Sequence, residues 1–405
     1  MGNGMPRFYI PRPDYEELLS GAGRALLYGR RKTGKTTLAR RVLEDWLYVY
    51  VKPGGEFFLP EEGATYSLRS FTPLLGRGRV IVDEFHRAPR DFLYMIQAGE
   101  APEDLVLISS TLHLVKEFTY SGDAPLKGLF TEIPVSLIHP LDLVRFYRPR
   151  RRRELERLLF YQEPTQVGKE LYPILEGSLE FSLSLLSEVL SEEDVSFSKR
   201  LTGILRATAA GAQRPSEIAS LLYRRGLIPK DNTGLIAKYL DVLVETGFLE
   251  RVRVYGSRRR IIRHVSPLTA FAFYVDEKYG FYEGLSLWGK EFLMRVFRLQ
   301  ASFHVERFVE RLLSRLWGLQ PVRILSPEID IALTRFQRLA VVGEVKWKSR
   351  VAPGDLKAAE EKLALVPAER RILVVPSRDA VAGETGLEIW DVERLAEEAL
   401  EGATT

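Results

Sequence analysis

Residues Gly29 to Thr36, GRRKTGKT, constrain this 405-residue chain more tightly than any other stretch. Glycines on either side of a four-residue spacer let successive backbone N–H groups curl toward one point. A helix starting at that point adds the positive end of its dipole. Such a cradle fits a polyphosphate. The expected nucleotide-binding residues are therefore Gly29, Arg30, Arg31, Lys32, Thr33, Gly34, Lys35, Thr36 and Thr37, with ATP and Mg2+ as cofactors. Lys35 is placed to reach the β- and γ-phosphates, and the Thr36 hydroxyl to ligate the metal. The flanks agree: apolar RALLYG precedes the loop as a short strand, and KTTLARRVLEDWLYVY follows with apolar residues at helical spacing.

A nucleotide hydrolase also needs acids to hold the metal and to direct water. RVIVDEF supplies them at the end of an apolar strand, 48 positions after Lys35. Asp83 is the expected partner of the metal, and Glu84 the residue that orients or deprotonates the attacking water. A third apolar run, LVLISST, ends in Ser109, Ser110 and Thr111, hydroxyls suited to sensing a γ-phosphate. Short apolar runs alternating with helical patterns predict an α/β core with a parallel sheet up to about Val144.

The length suggests about two to four domains. Cysteine is absent and the five histidines are scattered, which excludes disulfides and a thiolate or histidine metal cluster. No apolar run reaches the ~18–20 residues of a membrane span. The opening MGNGMPRFYIPRP lacks the apolar core of a signal peptide, so a cytoplasmic location is expected. Net charge is only +4, yet basic residues cluster: seven arginines lie between Arg145 and Arg157, and six between Arg251 and Arg263. Local clusters on a near-neutral chain suit contact with nucleic-acid phosphates.

The second cluster sits in a recognisable context. Three helical segments, SKRLTGILRATAAGA, RPSEIASLLYRRG and NTGLIAKYLDVLVETGF, precede an alternating ribbon that turns at Gly256-Ser257. Three helices and a basic hairpin predict a winged helix-turn-helix. Its third helix is expected to begin at an N-cap, Asn232 or Thr233, and to enter the major groove with Lys230, Asn232 and Thr233. The wing arginines Arg258, Arg259, Arg260 and Arg263 are expected to meet backbone phosphates. Duplex DNA is the expected partner; a homo-oligomer is left open.

Near the C-terminus, EIDIALTRFQRLAVVGEVKWK reads as a hairpin centred on Gln337, which opposes Asp330 and Glu344 and puts Lys346 on the face of Glu344. Opposed carboxylates repel unless a cation intervenes. A divalent metal held by both, with Lys346 orienting a water, would attack a phosphodiester.

Taken together, these residues resemble the archaeal P-loop ATPases of the STAND/AAA+ class. The resemblance rests on RPDYEELL, YGRRKTGKTTL, VIVDEF, the hydroxyl-ended third strand and EIPVSLIHPLDLVRFY. It implies a winged helix and a nuclease-like C-terminal domain after the core. The acidic hairpin resembles the PD-(D/E)xK nuclease core, D-x13-E-V-K; Glu306 in the preceding helix HVERFVERLL matches an additional metal-binding acid of such cores. Similar proteins carry an arginine after a Pro-Leu-x-Gly element, where APLKGLF has Leu129; Lys127 or Arg87 are the substitutes. The expected organisation is a P-loop ATPase core (1–144), a helical lid (145–197), a winged helix-turn-helix with connecting helices (198–296) and an α/β nuclease-like domain (297–405). The expected function is ATP hydrolysis coupled to DNA binding, with metal-dependent DNA cleavage as a further activity. The rival is a STAND-type nucleotide switch with a regulatory or sensing role and no nuclease activity.

Overall fold

In the computed structural model, residues 8–76, 78–110, 112–120, 124–189, 195–280 and 289–402 are described. The chain divides into two units, Met1–Leu137 with Glu245–Gly247, and Ile138–Val244 with Phe248–Thr405.

The first unit runs α1 (Pro13–Ser20), β1 (Arg24–Tyr28), α2 (Lys35–Val42), β2 (Leu47–Val51), β3 (Phe57–Leu59), β4 (Ala64–Tyr66), α3 (Leu68–Leu75), β5 (Arg79–Asp83), α4 (Arg90–Gln97), β6 (Asp104–Ser109), α5 (Leu112–Tyr120) and β7 (Thr131–Pro134). One sheet takes all the strands in the order β4-β3-β2-β5-β6-β1-β7. From β2 to β7 the pairings are parallel, and β3 and β4 add an antiparallel edge. Both faces of the parallel strands are covered, which is why they read as unbroken apolar runs. Leu26, Val82 and Leu107 pack with Phe71 and Phe92 on one face, and Leu27, Ile81 and Val106 with Leu19 and Leu38 on the other.

The stretch KTTLARRVLEDWLYVY does not continue as helix: α2 stops at Val42, and LYVYV is β2. Its β-branched and aromatic residues suit a pleated surface. Pairing of Leu47 to Tyr50 with Val80 to Asp83, and burial of Tyr48, Val49 and Val51, outweigh the helical spacing.

The second unit begins with α6 (Pro140–Tyr147), α7 (Arg152–Tyr161), α8 (Leu171–Glu176), α9 (Ser178–Val189), α10 (Val195–Ala209), α11 (Pro215–Arg224) and α12 (Gly234–Glu245). The hairpin β8 (Leu249–Arg253) and β9 (Arg260–His264) follows, then α13 (Pro267–Tyr279) and the long α14 (Lys290–Leu316). Leu201, Ile204, Ile218, Leu222, Ile236 and Leu240 of α10 to α12 share one core with Phe248, Leu249 and Ile262 of the hairpin. Gly256, at φ +68°, lies in the turn as the ribbon pattern requires.

The remainder is β10 (Gln320–Pro321), β11 (Ile324–Leu325), β12 (Glu328–Ile329), β13 (Ile331–Arg335), β14 (Arg338–Val345), α15 (Pro353–Ala364), β15 (Arg370–Val374), β16 (Glu388–Trp390) and α16 (Val392–Glu401). A five-stranded sheet has the order β10-β13-β14-β15-β16, antiparallel as far as β14 and parallel beyond it.

Candidate nucleotide site and acidic hairpin

Strand β6 lies between β1 and β5, so the loop after β1, the acids after β5 and the hydroxyls after β6 meet at the carboxyl ends of three adjacent strands. Gly29 has φ +144°, and a Cβ there would stand 2.3 Å from the Val135 carbonyl oxygen. Only glycine permits this approach. Lys32 and Gly34 also take left-handed backbone, at φ +62° and +85°, and the chain enters α2 at Lys35.

Lys35 is buried, and its Nζ donates to the carbonyls of Gly29 and Arg30, both at 2.9 Å. Burial lowers the ammonium to about 8, with the charges of Glu84 and Asp83 opposing the shift. Thr36 Oγ1 donates to Asp83 Oδ2 at 2.6 Å, and the Tyr48 hydroxyl donates to the same oxygen at 2.8 Å. The Glu84 N–H donates to Asp83 Oδ1 at 2.9 Å. Burial raises the Asp83 carboxyl, while the Thr36 and Tyr48 hydrogen bonds hold it back.

Glu84 has φ +56° and turns its carboxylate to Ser110 Oγ, which donates at 3.0 and 3.1 Å. His86 Nε2 lies 3.3 Å and Arg87 3.7 Å from Glu84 Oε2. His86 Nδ1 is 3.0 Å from Ser109 Oγ. Burial, helped by Arg87, drives this imidazole down to about 4, so it is neutral at pH 7. The geometry assigns the proton to Nε2, facing the carboxylate, with Nδ1 accepting from Ser109. Arg31 Nε donates to Ser110 Oγ at 3.2 Å. Arg30 is buried, and Lys32 and Thr37 are half-buried. Thr111 falls outside the described residues. Of the two substitutes for the missing arginine, Arg87 lies at the site, bonded to the Tyr50 hydroxyl at 2.8 Å, whereas Lys127 is exposed.

Two participants escaped the sequence reading. Arg12 is buried and donates to the Thr33 carbonyl at 2.8 Å and the Ser136 carbonyl at 3.2 Å, pinning the loop to the segment after β7. A single arginine ahead of α1 carries no local signal of that partner. His86 had one available cue, its place two residues after Glu84.

The sequence matches no protein-family model and none of the curated proteins. Solved structures do match the fold. A Walker-type ATPase of Pyrococcus abyssi is 18% identical with a TM-score of 0.50, covering 67% of this chain and 98% of its own. The chain carries a P-loop ATPase fold. The ORC2 protein of Aeropyrum pernix, in ADPNP and ADP complexes, also matches, at 15% identity and a TM-score of 0.41 over 74% of this chain and 97% of its own.

At the far hairpin, Ile331, Ala332 and Leu333 oppose Gly343, Val342 and Val341, in the expected register. The register shifts by one after Leu333, so the turn is the two residues Phe336-Gln337, both at positive φ, rather than a loop centred on Gln337. Asp330 Oδ2 accepts from the Val345 N–H at 2.8 Å. Glu344 is buried; Lys346 Nζ donates to its Oε2 at 2.9 Å, and Lys362 Nζ lies 2.5 Å from its Oε1 as an ion pair. Burial and the Glu344 charge raise the Asp330 carboxyl. Burial and then Asp330 push Glu306 up to about 8. Among the described residues, however, no three Asp, Glu or His side chains are gathered to hold a metal. The expected triple of Glu306, Asp330 and Glu344 is not assembled as such a group, and the Lys346 and Lys362 ammonium groups take the two Glu344 oxygens.

The expected DNA-contacting residues divide. Lys230, Asn232, Thr233, Arg258, Arg259 and Arg260 are exposed, and Asn232 Oδ1 accepts from the Gly234 N–H at 2.7 Å where α12 begins. Arg263 does not belong with them. Its side chain is buried, with Nε donating to Glu250 at 2.7 Å and a terminal nitrogen to Glu310 at 2.5 Å. A guanidinium facing inward between two carboxylates has nothing to offer a phosphate. Both faces of β9 are covered here: Ile262 packs into the core of α10 to α12, while Arg263, on the opposite face, meets Glu310 of α14.

Proposed function

We propose that the chain binds and hydrolyses ATP and couples its nucleotide state to DNA. The observation that carries this reading is the 2.6 Å contact between Thr36 and Asp83, which brings the loop hydroxyl and the strand-end acid to one point beside Lys35. Thr36 and Asp83 would hold Mg2+, which supplies charge neutralisation at the β- and γ-phosphates. Lys35 exchanges two backbone carbonyls for phosphate oxygens. Glu84, released from Ser110, orients the attacking water. Lys35→Ala should abolish ATP binding, and Glu84→Gln should retain binding while cutting turnover at least about 100-fold. Normal turnover in both variants would sink the assignment.

Winged helix-turn-helix architecture is our reading of α10 to α12 with the β8–β9 ribbon, supported by the exposed Arg258, Arg259 and Arg260. The nuclease-like reading of residues 297–405 is supported by the hairpin register and by crowded acids at Asp330 and Glu306. Asp330 and Glu344 would hold a divalent ion only with the Lys362 ammonium displaced from Glu344; the ion would supply an activated water, and Lys346 would orient it. Wild type should then melt higher with Mn2+ and cut duplex DNA, and Asp330→Asn should lose both effects. Metal-dependent stabilisation without cutting would make the domain a binding module.

One observation favours the rival nucleotide switch. Glu84 is tied to Ser110, His86 and Arg87, and Lys35 to its own loop, which is a resting arrangement. A switch would bind ATP tightly and turn over slowly whether or not DNA is present.

A further inference from the structure

We infer that the exposed arginines at the start of α7 form a nucleic-acid backbone track leading to the Asp330–Glu344–Lys346 cluster. The inference rests on the DNA-associated reading above and names a surface which that reading leaves unassigned.

The seven arginines of this segment divide into two groups. Arg145 donates to the Ala399 carbonyl at 2.8 Å, Arg152 pairs with Glu156 at 2.7 Å, and Arg157 with Glu170 at 3.0 Å. These three hold the segment in place. Arg148, Arg150, Arg151 and Arg153 are exposed, and among the described residues none of their side chains makes an ion pair or a hydrogen bond. The nearest carboxylate in sequence, Glu154, is spent on the backbone N–H groups of Arg150 and Arg151, at 2.7 and 3.2 Å. Four open guanidinium groups on six residues are a concentrated positive patch.

The patch is tethered beside the acidic hairpin. Glu156 Oε1, which takes Arg152, also accepts the indole N–H of Trp347 at 3.0 Å. The Arg152 guanidinium lies 5.9 Å from the centre of the Trp347 ring. Trp347 is buried and directly follows Lys346, so the first two turns of α7 abut the end of the strand that carries Glu344. Beyond Trp347 the chain adds exposed Arg350, while the exposed Lys348 pairs with Asp355 at 2.6 Å. Two carboxylates alone would repel a polyanion; flanking guanidinium groups attract it and suit bidentate phosphate contacts. A run of phosphates is the ligand whose charge spacing such a track serves.

The absence of cysteine makes a local test direct. Ser349→Cys in the full-length chain places one thiol on the exposed segment next to the cluster, for a photo-crosslinker. Binding and crosslinking to a labelled duplex are measured against salt. Replacing Arg150, Arg151 and Arg153 with Ala should reduce the log–log salt slope by up to about 2.7 and remove most crosslinking. Replacing them with Lys should restore the slope. Replacing Arg258, Arg259 and Arg260 with Ala should weaken overall binding and leave the remaining crosslinks at residue 349. Unchanged slope and crosslinking in the α7 Ala variant would overturn the track while the DNA reading stands. A parent that binds no duplex at low salt would remove the DNA reading itself and the track with it. Equal binding of polyaspartate, equally lost in the α7 variant, would assign the patch to acidic polypeptide and overturn the inference.

Discussion

Replacing Arg263 with Met separates a structural arginine from a DNA-binding one. Its guanidinium is 4% exposed and bridges Glu250 and Glu310; Glu310 is 1% exposed, and among the described residues its Oε1 accepts no hydrogen bond. The two carboxylates raise the arginine above its already high range against the cost of burial. Methionine fills much of the volume but leaves a buried carboxylate without its partner, a change that costs about 3–5 kcal/mol. Arg307, which also feels both carboxylates, offsets part of the loss, so the lower end, about 3 kcal/mol, is expected. That is roughly a 150-fold fall in the folded-to-unfolded ratio. Urea unfolding at pH 7 reads it as a lower midpoint, with hydrogen exchange at the β9 amides locating the loss. The double variant Arg263→Met with Glu310→Leu should recover most of the stability, because no uncompensated charge remains at that end. A single variant within about 0.5 kcal/mol of the parent, with weaker DNA binding instead, would refute the reasoning.

Further perturbations test other parts of the molecule. Gly29→Ala must either move the Val135 carbonyl or open the loop, since its Cβ would lie 2.3 Å from that oxygen; a loss of about 2–4 kcal/mol and weak ATP binding should appear together in urea and nucleotide titrations. Arg12→Met should loosen the same loop through Thr33, raising the ATP dissociation constant about tenfold, with an unaltered constant as the contrary result. His304 is buried, among the described residues neither ring nitrogen has a hydrogen-bond partner, and burial lowers its pKa to about 3. The unfolded chain binds a proton below about 6.5 and the folded chain does not, so its contribution is present above that pH. It is lost as pH falls toward 3, by up to about 1.4 kcal/mol per pH unit, and His304→Leu should flatten the acid limb of melting temperature against pH. Glu306, raised to about 8, runs the opposite way. Its share of stability is present below about 4.5 and lost as pH rises toward 8, so Glu306→Gln should flatten the alkaline limb in metal-free protein.

Local chain geometry made parts of this molecule legible in advance. The phosphate loop depends on glycines at fixed spacing, and the backbone angles at Gly29 and Gly34 are requirements those residues meet by themselves. Apolar runs at β1, β5 and β6 announced strands buried on both faces, and the 331–333 pairing followed from alternation about a turn. Tertiary structure decided the rest, because burial sums over neighbours far apart in the chain. LYVYV became β2 only because β5 was there to pair with it. Arg12 found Thr33 and Ser136, and His86 bridged Glu84 to Ser109, through contacts that no sequence period encodes. Arg263 and Arg260 lie in one basic run, yet one is shut between carboxylates and the other faces water. Composition cannot tell them apart, since an arginine's role follows from the dielectric around it and the charges the fold brings near.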